Sequence, residues 1–409
     1  MATLNPTKHL QRVPKLAIQL KANNSVQLKW GRKHLSAGIH TLAILNAFRQ
    51  PKTFADGLKQ VVQTEQGNEE ALSSTISQLF DAGVLRNVDV AKKVETSSTI
   101  AFDTPMIHIE MLNDRTRTAQ YLKAIREVVR EGDVVVDLGT GTGVLALAAA
   151  QAGASHVYAI EINARIARAA KANFARNGFA DKISLHLGRS TGIVLPERAD
   201  VLISEIIGND PFDEQIIEMT TDARLRFLKP NARMIPNRIE VYGLPVTIPS
   251  VEYAKHIFSS QSADDWHSWY DIDFSALTEM HPIDYEPLFN ITPQMTKTWP
   301  RLHAPLRFAN VDLHQYRDQH VSHQETVQAQ ADGRLNGLLI YFEVELSKHI
   351  SLSTHPDKAG VENHWRSPVW GIFPAVDVKV GDLFTVQYEA DSQRNWTYAS
   401  VFKPVLESV

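Results

Sequence analysis

The stretch Val134–Glu161, VVVDLGTGTGVLALAAAQAGASHVYAIE, decides how the rest of this 409-residue chain is read. It begins with an apolar run that ends in an aspartate, Val134–Asp137. Three glycines follow at alternate positions, Gly139, Gly141 and Gly143. An alanine-rich helix is expected over Val144–Ala152, and a second apolar strand, His156–Ile160, ends in Glu161. Strand, glycine turn, helix, strand and terminal acid in this order make the first βαβ unit of a nucleotide-binding sheet. The glycines allow a tight turn and close backbone approach to a ligand at the helix N-terminus. An acid at the tip of the second strand suits two ribose hydroxyls.

The spacing narrows the choice of nucleotide. A dinucleotide fingerprint reads GxGxxG, with a third glycine that closes helix against strand. Here the run is DLGTGTG, and no Walker lysine follows. The pattern resembles the class I S-adenosylmethionine methyltransferases. That resemblance implies a Rossmann-like α/β domain. Asp137, Gly139, Gly141 and Gly143 would hold the amino-acid part of S-adenosyl-L-methionine, and Glu161 its ribose.

The chain exceeds a single core, so two or three domains are expected. It has no cysteine, which excludes disulfides, thiolate metal sites and a cysteine nucleophile. Its histidines show no HExxH spacing, and no metal is expected. Met1–Lys15 lacks the apolar core of a signal peptide, and no uncharged apolar run has membrane-spanning length. A soluble cytoplasmic protein is the expectation. The net charge of -4 does not suggest a nucleic-acid partner for the chain as a whole. The charge is uneven, however. Met1–Gln50 holds eight Lys/Arg and no Asp or Glu.

Residues 1–92 read as a domain of their own. Leu16–Leu20 and Val26–Trp30 alternate as strands around the turn Asn23-Asn24-Ser25. Helical spacing marks His40–Phe48, Phe54–Val62 and Glu70–Ala82, with Gly83 placed to end the last. Strands followed by three short helices suggest a winged-helix-like α+β module. The order resembles the recognition element of ribosomally made, post-translationally modified peptide pathways. That resemblance implies a leader peptide added as a strand to an exposed sheet edge. DNA binding through the basic face and a plain packing extension remain alternatives. Polar Ala91–Thr99 reads as a linker.

Phe102–Ile125 has helix-compatible apolar spacing, with Asp114 as a cap between two helices. A guanidinium at Arg117 can clamp a carboxylate bidentately. The segment IHIEMLNDRTRTAQY, Ile107–Tyr121, resembles the opening of the catalytic core of the protein arginine methyltransferases. By that resemblance Arg117 contacts the S-adenosylmethionine carboxylate, while Met111 and His108 lie on the substrate side. The sequence departs from the family at Phe102, where a tyrosine is usual. Further on, Ile183–Leu187 reads as a strand followed by the loop GRSTGIVLP. The hydroxyls of Ser190 and Thr191, or the backbone there, would take the adenine edge.

The strand Ala199–Ser204 delivers SEIIGNDPFDE. Glu205 leaves the end of a parallel strand, where open α/β sheets bind ligands, and Glu214 follows nine residues later. The arginine methyltransferases carry a two-glutamate loop with this spacing. Here Asp210 and Asp213 add two more acids, and like charges so close call for a cation. Guanidinium is a planar fork of N–H donors that stays protonated in water, and its nitrogens are poor nucleophiles. Two carboxylates can fix the fork and draw positive charge away from the target nitrogen.

Gln215–Phe227 reads as a helix, Leu228–Pro236 as a turn, and Arg238–Gly243 as an alternating strand. Residues 239–409 are strand-rich, with the firm apolar strand Leu335–Leu346. The resemblance makes this a β-barrel and the insert 259–287 a dimerisation arm, against the plainer reading of a surface loop. ENHWRSPVWGIFPAVDVKVGD, Glu362–Asp382, resembles the family's THW loop with Asn363 in place of the threonine. His364 would pair with an acid, orient Glu214 or relay a proton. Trp365 would wall the arginine channel. The expectation is a methyltransferase domain over 100–238 and a barrel domain over 239–409. Together they would act as a homodimeric arginine N-methyltransferase on a peptide or protein, yielding S-adenosyl-L-homocysteine, with a precursor peptide as the preferred acceptor and a generic protein arginine methyltransferase as the near rival. Another side chain or a small molecule as acceptor, and a non-enzymatic regulator, are the alternatives.

Overall fold

The computed structural model describes residues 6, 8–13, 16–21, 25–30, 33–38, 40–49, 52–65, 68–87, 105–258, 260–279, 287–392 and 396–402. The linker expected at Ala91–Thr99, Phe102, and part of the insert lie outside them. The chain divides into two compact units, Met1–Thr96 and Ser97–Val409. No helix among the described residues is long and apolar enough to cross a membrane.

Among the described residues, the first unit contains two small antiparallel sheets and three helices. β1 (His9–Arg12) lies between β5 (Lys52–Thr53) and β6 (Leu85–Asn87). β3 (Ser25–Trp30) lies between β2 (Ala17–Leu20) and β4 (Lys33–Gly38). The expected hairpin is therefore present, with a third strand added. The helices are α1 (Thr41–Ala47), α2 (Phe54–Glu65) and α3 (Glu69–Asp81). Asn68 caps α3 by accepting from the Glu70 N–H, 2.9 Å. Gly83 follows its end in the left-handed region, as the sequence predicts. Leu10, Val26, Leu28, Ile44, Phe48 and Ile76 bury their side chains in a core belonging to this unit.

The second unit opens with α4 (Pro105–Asn113) and α5 (Arg115–Val128), and Asp114 caps α5 as expected. A parallel sheet follows: β7 (Val134–Leu138), β8 (His156–Glu161), β9 (Ile183–Leu187), β10 (Ala199–Ser204) and β11 (Leu228–Ile235). Its strand order is β11-β10-β7-β8-β9. The order reverses at β7, the switch point where such sheets bind ligands at the C-terminal strand ends. β7 is buried along its whole length, as its unbroken apolar run requires. The connecting helices are α6 (Val144–Gln151), α7 (Ala164–Arg176) and α8 (Ile216–Arg226).

One expectation fails here. Leu228–Pro236 was expected to turn, yet Leu228–Ile235 pairs with β10 as an edge strand. Pro230 and Asn231 carry the turn signal, and they fall where the ladder is irregular; pairing resumes from Arg233 to Ile235.

β12 (Arg238–Val246) leads into α9 (Ser250–His256), α10 (Ser260–Tyr270) and, among the described residues, eight further strands. These are β13 (Leu288–Ile291), β14 (Leu306–Asp312), β15 (His320–Gln328), β16 (Gly333–Ser347), β17 (Ile350–Ser353), β18 (Ser367–Val378), β19 (Leu383–Asp391) and β20 (Trp396–Phe402). One sheet has the order β13-β18-β16-β12-β14, with β17 on β16, and the other has β15-β19-β20. β14 lies beside β15 and β18 beside β20, so the sheets meet at both sides. The sheet and the barrel share one hydrophobic core running from Tyr121 and Val135 to Phe342 and Tyr388.

Gly143 shows how tightly the glycine turn is packed. Its φ is +88°, and a Cβ there would lie 2.3 Å from the Phe174 ring. Gly143→Ala is expected to lower the unfolding free energy of the second unit by about 2–4 kcal/mol, combining left-handed strain with overpacking. Urea denaturation measures this, and a midpoint equal to that of the parent would contradict it.

Candidate active site

The sequence brings its chemistry to the C-terminal ends of β7, β8 and β10. Gly139, Gly141 and Gly143 all have positive φ, 77°, 54° and 88°. Beneath them Asp137 is fully buried and accepts from the Thr140 hydroxyl at 2.5 Å. Its Oδ1 has no hydrogen-bond partner among the described residues. Burial pushes its carboxyl up to about 7, although Thr140 pulls the other way. At the tip of β8, Glu161 accepts from the Gly141 N–H (2.9 Å) and the Asn163 N–H (2.8 Å), so the predicted acid bridges the turn and α7. His108 lies against the turn, with Nδ1 3.4 Å from where a Gly141 Cβ would stand.

Ser190 is buried, and its hydroxyl reaches the Met219 sulfur at 3.4 Å. Its carbonyl accepts from Arg226, 2.7 Å. Thr191 is exposed beside it.

Arg117 forms the centre of the site. It is 5% exposed and its guanidinium Nη1 is ion-paired with Glu205, itself 9% exposed. Nη2 donates to the Met111 carbonyl at 2.8 Å, so Met111 contributes its backbone. Arg117 Nε has no partner among the described residues. Burial pushes the Glu205 carboxyl above the usual carboxylate range, and Arg117 draws it part of the way back.

The loop after Glu205 is folded tightly. A Cβ on Gly208 would stand 2.8 Å from the Asp210 carbonyl and 2.9 Å from the Asp213 Cβ. Gln215, directly after Glu214, has a φ of 64°, a left-handed value that only surrounding structure can hold for a side chain of this kind. Burial, with Glu205 and Asp213 nearby, pushes the Glu214 carboxyl up to about 8. Burial pushes Asp213 up to about 6.

The barrel contributes the loop before β18. His364 donates to Asp114 Oδ2 through its backbone N–H (3.1 Å), and its Nδ1 lies 3.0 Å from the same oxygen. Asp114 Oδ1 meanwhile accepts from the Arg117 N–H, 2.9 Å. Burial alone would raise Asp114; its bonds to His364 and the Arg117 backbone outweigh it and hold the carboxyl below the usual range. His364 thus pairs with an acid, Asp114. Trp365 is buried, and its indole N–H donates to the Ile207 carbonyl at 2.8 Å, propping the acidic loop. It also reaches a cavity of about 250 Å3 that Asp114, Arg117, Gln120 and Lys358 line.

Sequence reasoning missed three supports. Asp114 was seen only as a helix cap. Tyr121 donates to the Ser204 carbonyl at 3.2 Å, fixing the strand end that presents Glu205. Tyr388, which bonds Asp210, stands in an ordinary alternating strand with no local signal.

Two family descriptions match the second unit: ribosomal protein L11 methyltransferase over residues 114–239, and arginine methyltransferase oligomerization subdomain over 248–401. A probable protein arginine N-methyltransferase 6 of Arabidopsis thaliana is 32% identical over 246 residues, 59% of this chain. The match covers 54% of that relative, so the chain spans about half its length. Protein arginine N-methyltransferase 6 of Danio rerio is 31% identical over 284 residues, covering 66% of this chain and 78% of the relative. The Trypanosoma brucei PRMT1 enzyme–prozyme heterotetrameric complex with AdoHcy shares the fold, with a TM-score of 0.63 and 23% identity. That likeness covers 76% of this chain and 97% of the other. This chain belongs to the protein arginine N-methyltransferases, a family of enzymes that use S-adenosyl-L-methionine.

A stability test follows from Glu214. Its carboxyl titrates near 8 in the fold against about 4.5 ordinarily. The folded state's advantage from this group is complete below about 4.5 and is lost as pH rises through about 8. Glu214→Gln is therefore expected to lose less stability than the parent between those limits. Parallel stability curves for the two proteins would contradict the shift.

Proposed function

We propose that the chain methylates the guanidinium of an arginine in a peptide or protein. The observation that carries the reading is the pair of buried carboxyls Glu205 and Glu214 in the loop that leaves the C-terminal end of β10, close enough for Glu205 to raise Glu214. The residues present fit S-adenosyl-L-methionine. Asp137 and Arg117 each keep a buried polar atom without a partner among the described residues, and the left-handed glycines of the turn leave its backbone open beside Asp137. In this reading the glycines, Asp137 and Arg117 hold the amino-acid part, Glu161 the ribose, and Ser190 with Thr191 the adenine side. When bound, the cofactor supplies an electrophilic methyl group on a sulfonium.

The chain's own groups do the rest. Glu205 and Glu214 accept from the guanidinium fork and hold it in one plane. Their charge draws positive density onto the nitrogens they touch, leaving the third richer in electrons. With the sulfonium bound, that nitrogen would take its methyl group, the sulfur would keep the bonding pair as a thioether, and the Glu214 carboxylate would accept the N–H proton. Alignment and preorganised charge provide most of the acceleration. His364 holds Asp114 and thereby the start of α5. Met111, His108 and Trp365 frame the acceptor side.

Glu205→Gln keeps the shape of the side chain and removes its charge. Turnover on an arginine peptide, read by mass spectrometry, is expected to fall by roughly 100-fold or more while S-adenosylmethionine affinity stays within a few-fold. Equal loss of both would show that the acceptor site is elsewhere. Methyl transfer to a carboxylate or hydroxyl, with arginine untouched, would overturn the reading.

The finer proposal concerns the first unit, which would capture a precursor peptide. β4 is an edge strand of its sheet among the described residues, and the surrounding sequence is basic. An added peptide strand would satisfy that edge, and tethering would raise the effective concentration of its arginine. Deleting residues 1–92 is expected to raise KM for a full-length precursor and to leave kcat on a short arginine peptide intact. An unchanged KM would remove the capture role. A homodimer in the cytoplasm completes the proposal. The exposed Trp269, Tyr270 and Ile272 at and after the end of α10 support an arm that docks on a second copy.

A further inference from the structure

Asp210 sits midway between Glu205 and Glu214, yet it is 1% exposed and out of reach of any substrate. The Tyr388 hydroxyl lies 3.0 Å from both of its carboxyl oxygens. Oδ1 also accepts from the Phe212 N–H at 3.2 Å, and the Asp210 carbonyl accepts from the Asp213 N–H at 3.0 Å. Trp365 and the Arg366 N–H hold the first half of this loop, at the Ile207 carbonyl and Asn209 Oδ1, whereas Asp210 fastens the half that delivers Glu214.

Tyr388 is a rigid anchor. It is fully buried in β19 and its ring stacks on Phe308 of β14 with centroids 5.4 Å apart. A phenol held in this way cannot follow a moving loop. Burying an acid is a poor means of adding stability, since an apolar pair of the same shape does as well or better. A directional hydrogen bond fixes orientation, which apolar contact does not. The left-handed Gln215 and the crowding at Gly208 are local conformations that need such fixing.

We propose that the Asp210–Tyr388 hydrogen bond is a positioning device that locks the acidic loop to the barrel, so that Glu214 meets the acceptor in one orientation. Its catalytic consequence rests on the arginine-methylation reading; the tether itself does not. Asp210 and Tyr388 are positioning residues that act through Glu214.

The test compares Tyr388→Phe, Asp210→Leu and Asp210→Asn in the full chain. Hydrogen exchange reads the amides of residues 206–214, kinetics give kcat and KM on an arginine peptide, and calorimetry gives S-adenosylmethionine affinity. Tyr388→Phe is expected to speed loop exchange about tenfold and lower kcat by about 10- to 100-fold, with cofactor affinity unchanged. Asp210→Leu, which leaves Tyr388 packed in the barrel, should do the same. Asp210→Asn keeps an acceptor oxygen for the phenol and is expected to retain loop protection and most of kcat. Parent-like exchange in both lesion variants overturns the tether. So does an Asp210→Asn variant as damaged as Asp210→Leu, because charge rather than the hydrogen bond would then be what matters. Fast exchange with an unchanged kcat overturns the positioning role. If the parent leaves arginine unmethylated, the functional reading falls by itself, and exchange alone decides the tether.

Discussion

The buried pair of Arg117 and Glu205 is the interaction on which the site depends. A carboxylate taken out of water costs several kcal/mol unless a cation and hydrogen bonds meet it. Glu205 is met by Arg117, and Arg117 is placed by a relay that crosses the fold. His364, from the loop before β18, binds one oxygen of Asp114. The other oxygen caps the N–H of Arg117. The barrel therefore sets the first turn of α5, and that turn sets the cation beside Glu205. The candidate site is thus assembled from both the sheet and the barrel, which share one core.

Glu214 stands in contrast. It makes no ion pair among the described residues, and its carboxyl rises to about 8 under burial and like charge. The two glutamates of one loop are thus unequal. One carries a resident cation, and the other lacks one. A planar cation with two forks, arriving from outside, relieves the second without displacing Arg117 from the first. The same asymmetry disfavours a neutral acceptor, which would leave Glu214 and Asp213 unrelieved.

The fold was legible where the residues themselves determine local geometry. VVVDL needs burial on both faces and is buried throughout; Gly143 needs positive φ and has it; Asp114 caps the helix it precedes. The edge strand Leu228–Ile235 was not legible, because Pro230 and Asn231 are turn residues that a ladder irregularity accommodates. At the site, Glu205 and Glu214 stand out by type and spacing, whereas Arg117 and His364 stand out through the resemblance of the segments that carry them. Their partnerships do not. Asp114 and His364 are 250 residues apart, and Asp210 and Tyr388 are 178 apart. No local pattern records such pairings, since a tertiary contact leaves no period in the sequence.

The two added acids now have a physical explanation. Four carboxyl groups within ten residues would repel one another if all were ionised and free. Each instead has a different environment. Glu205 is paired with Arg117, and Asp210 is buried against a phenol and a backbone N–H. Asp213 and Glu214 are pushed up to about 6 and about 8. At neutral pH the loop therefore carries less charge than its sequence suggests. A cation entering beside Glu214 favours its ionised form, so binding the acceptor and releasing a proton are linked. On the proposed reading a guanidinium would complete a dianionic clamp here, and without one the raised carboxyl of Glu214 spares the loop that repulsion.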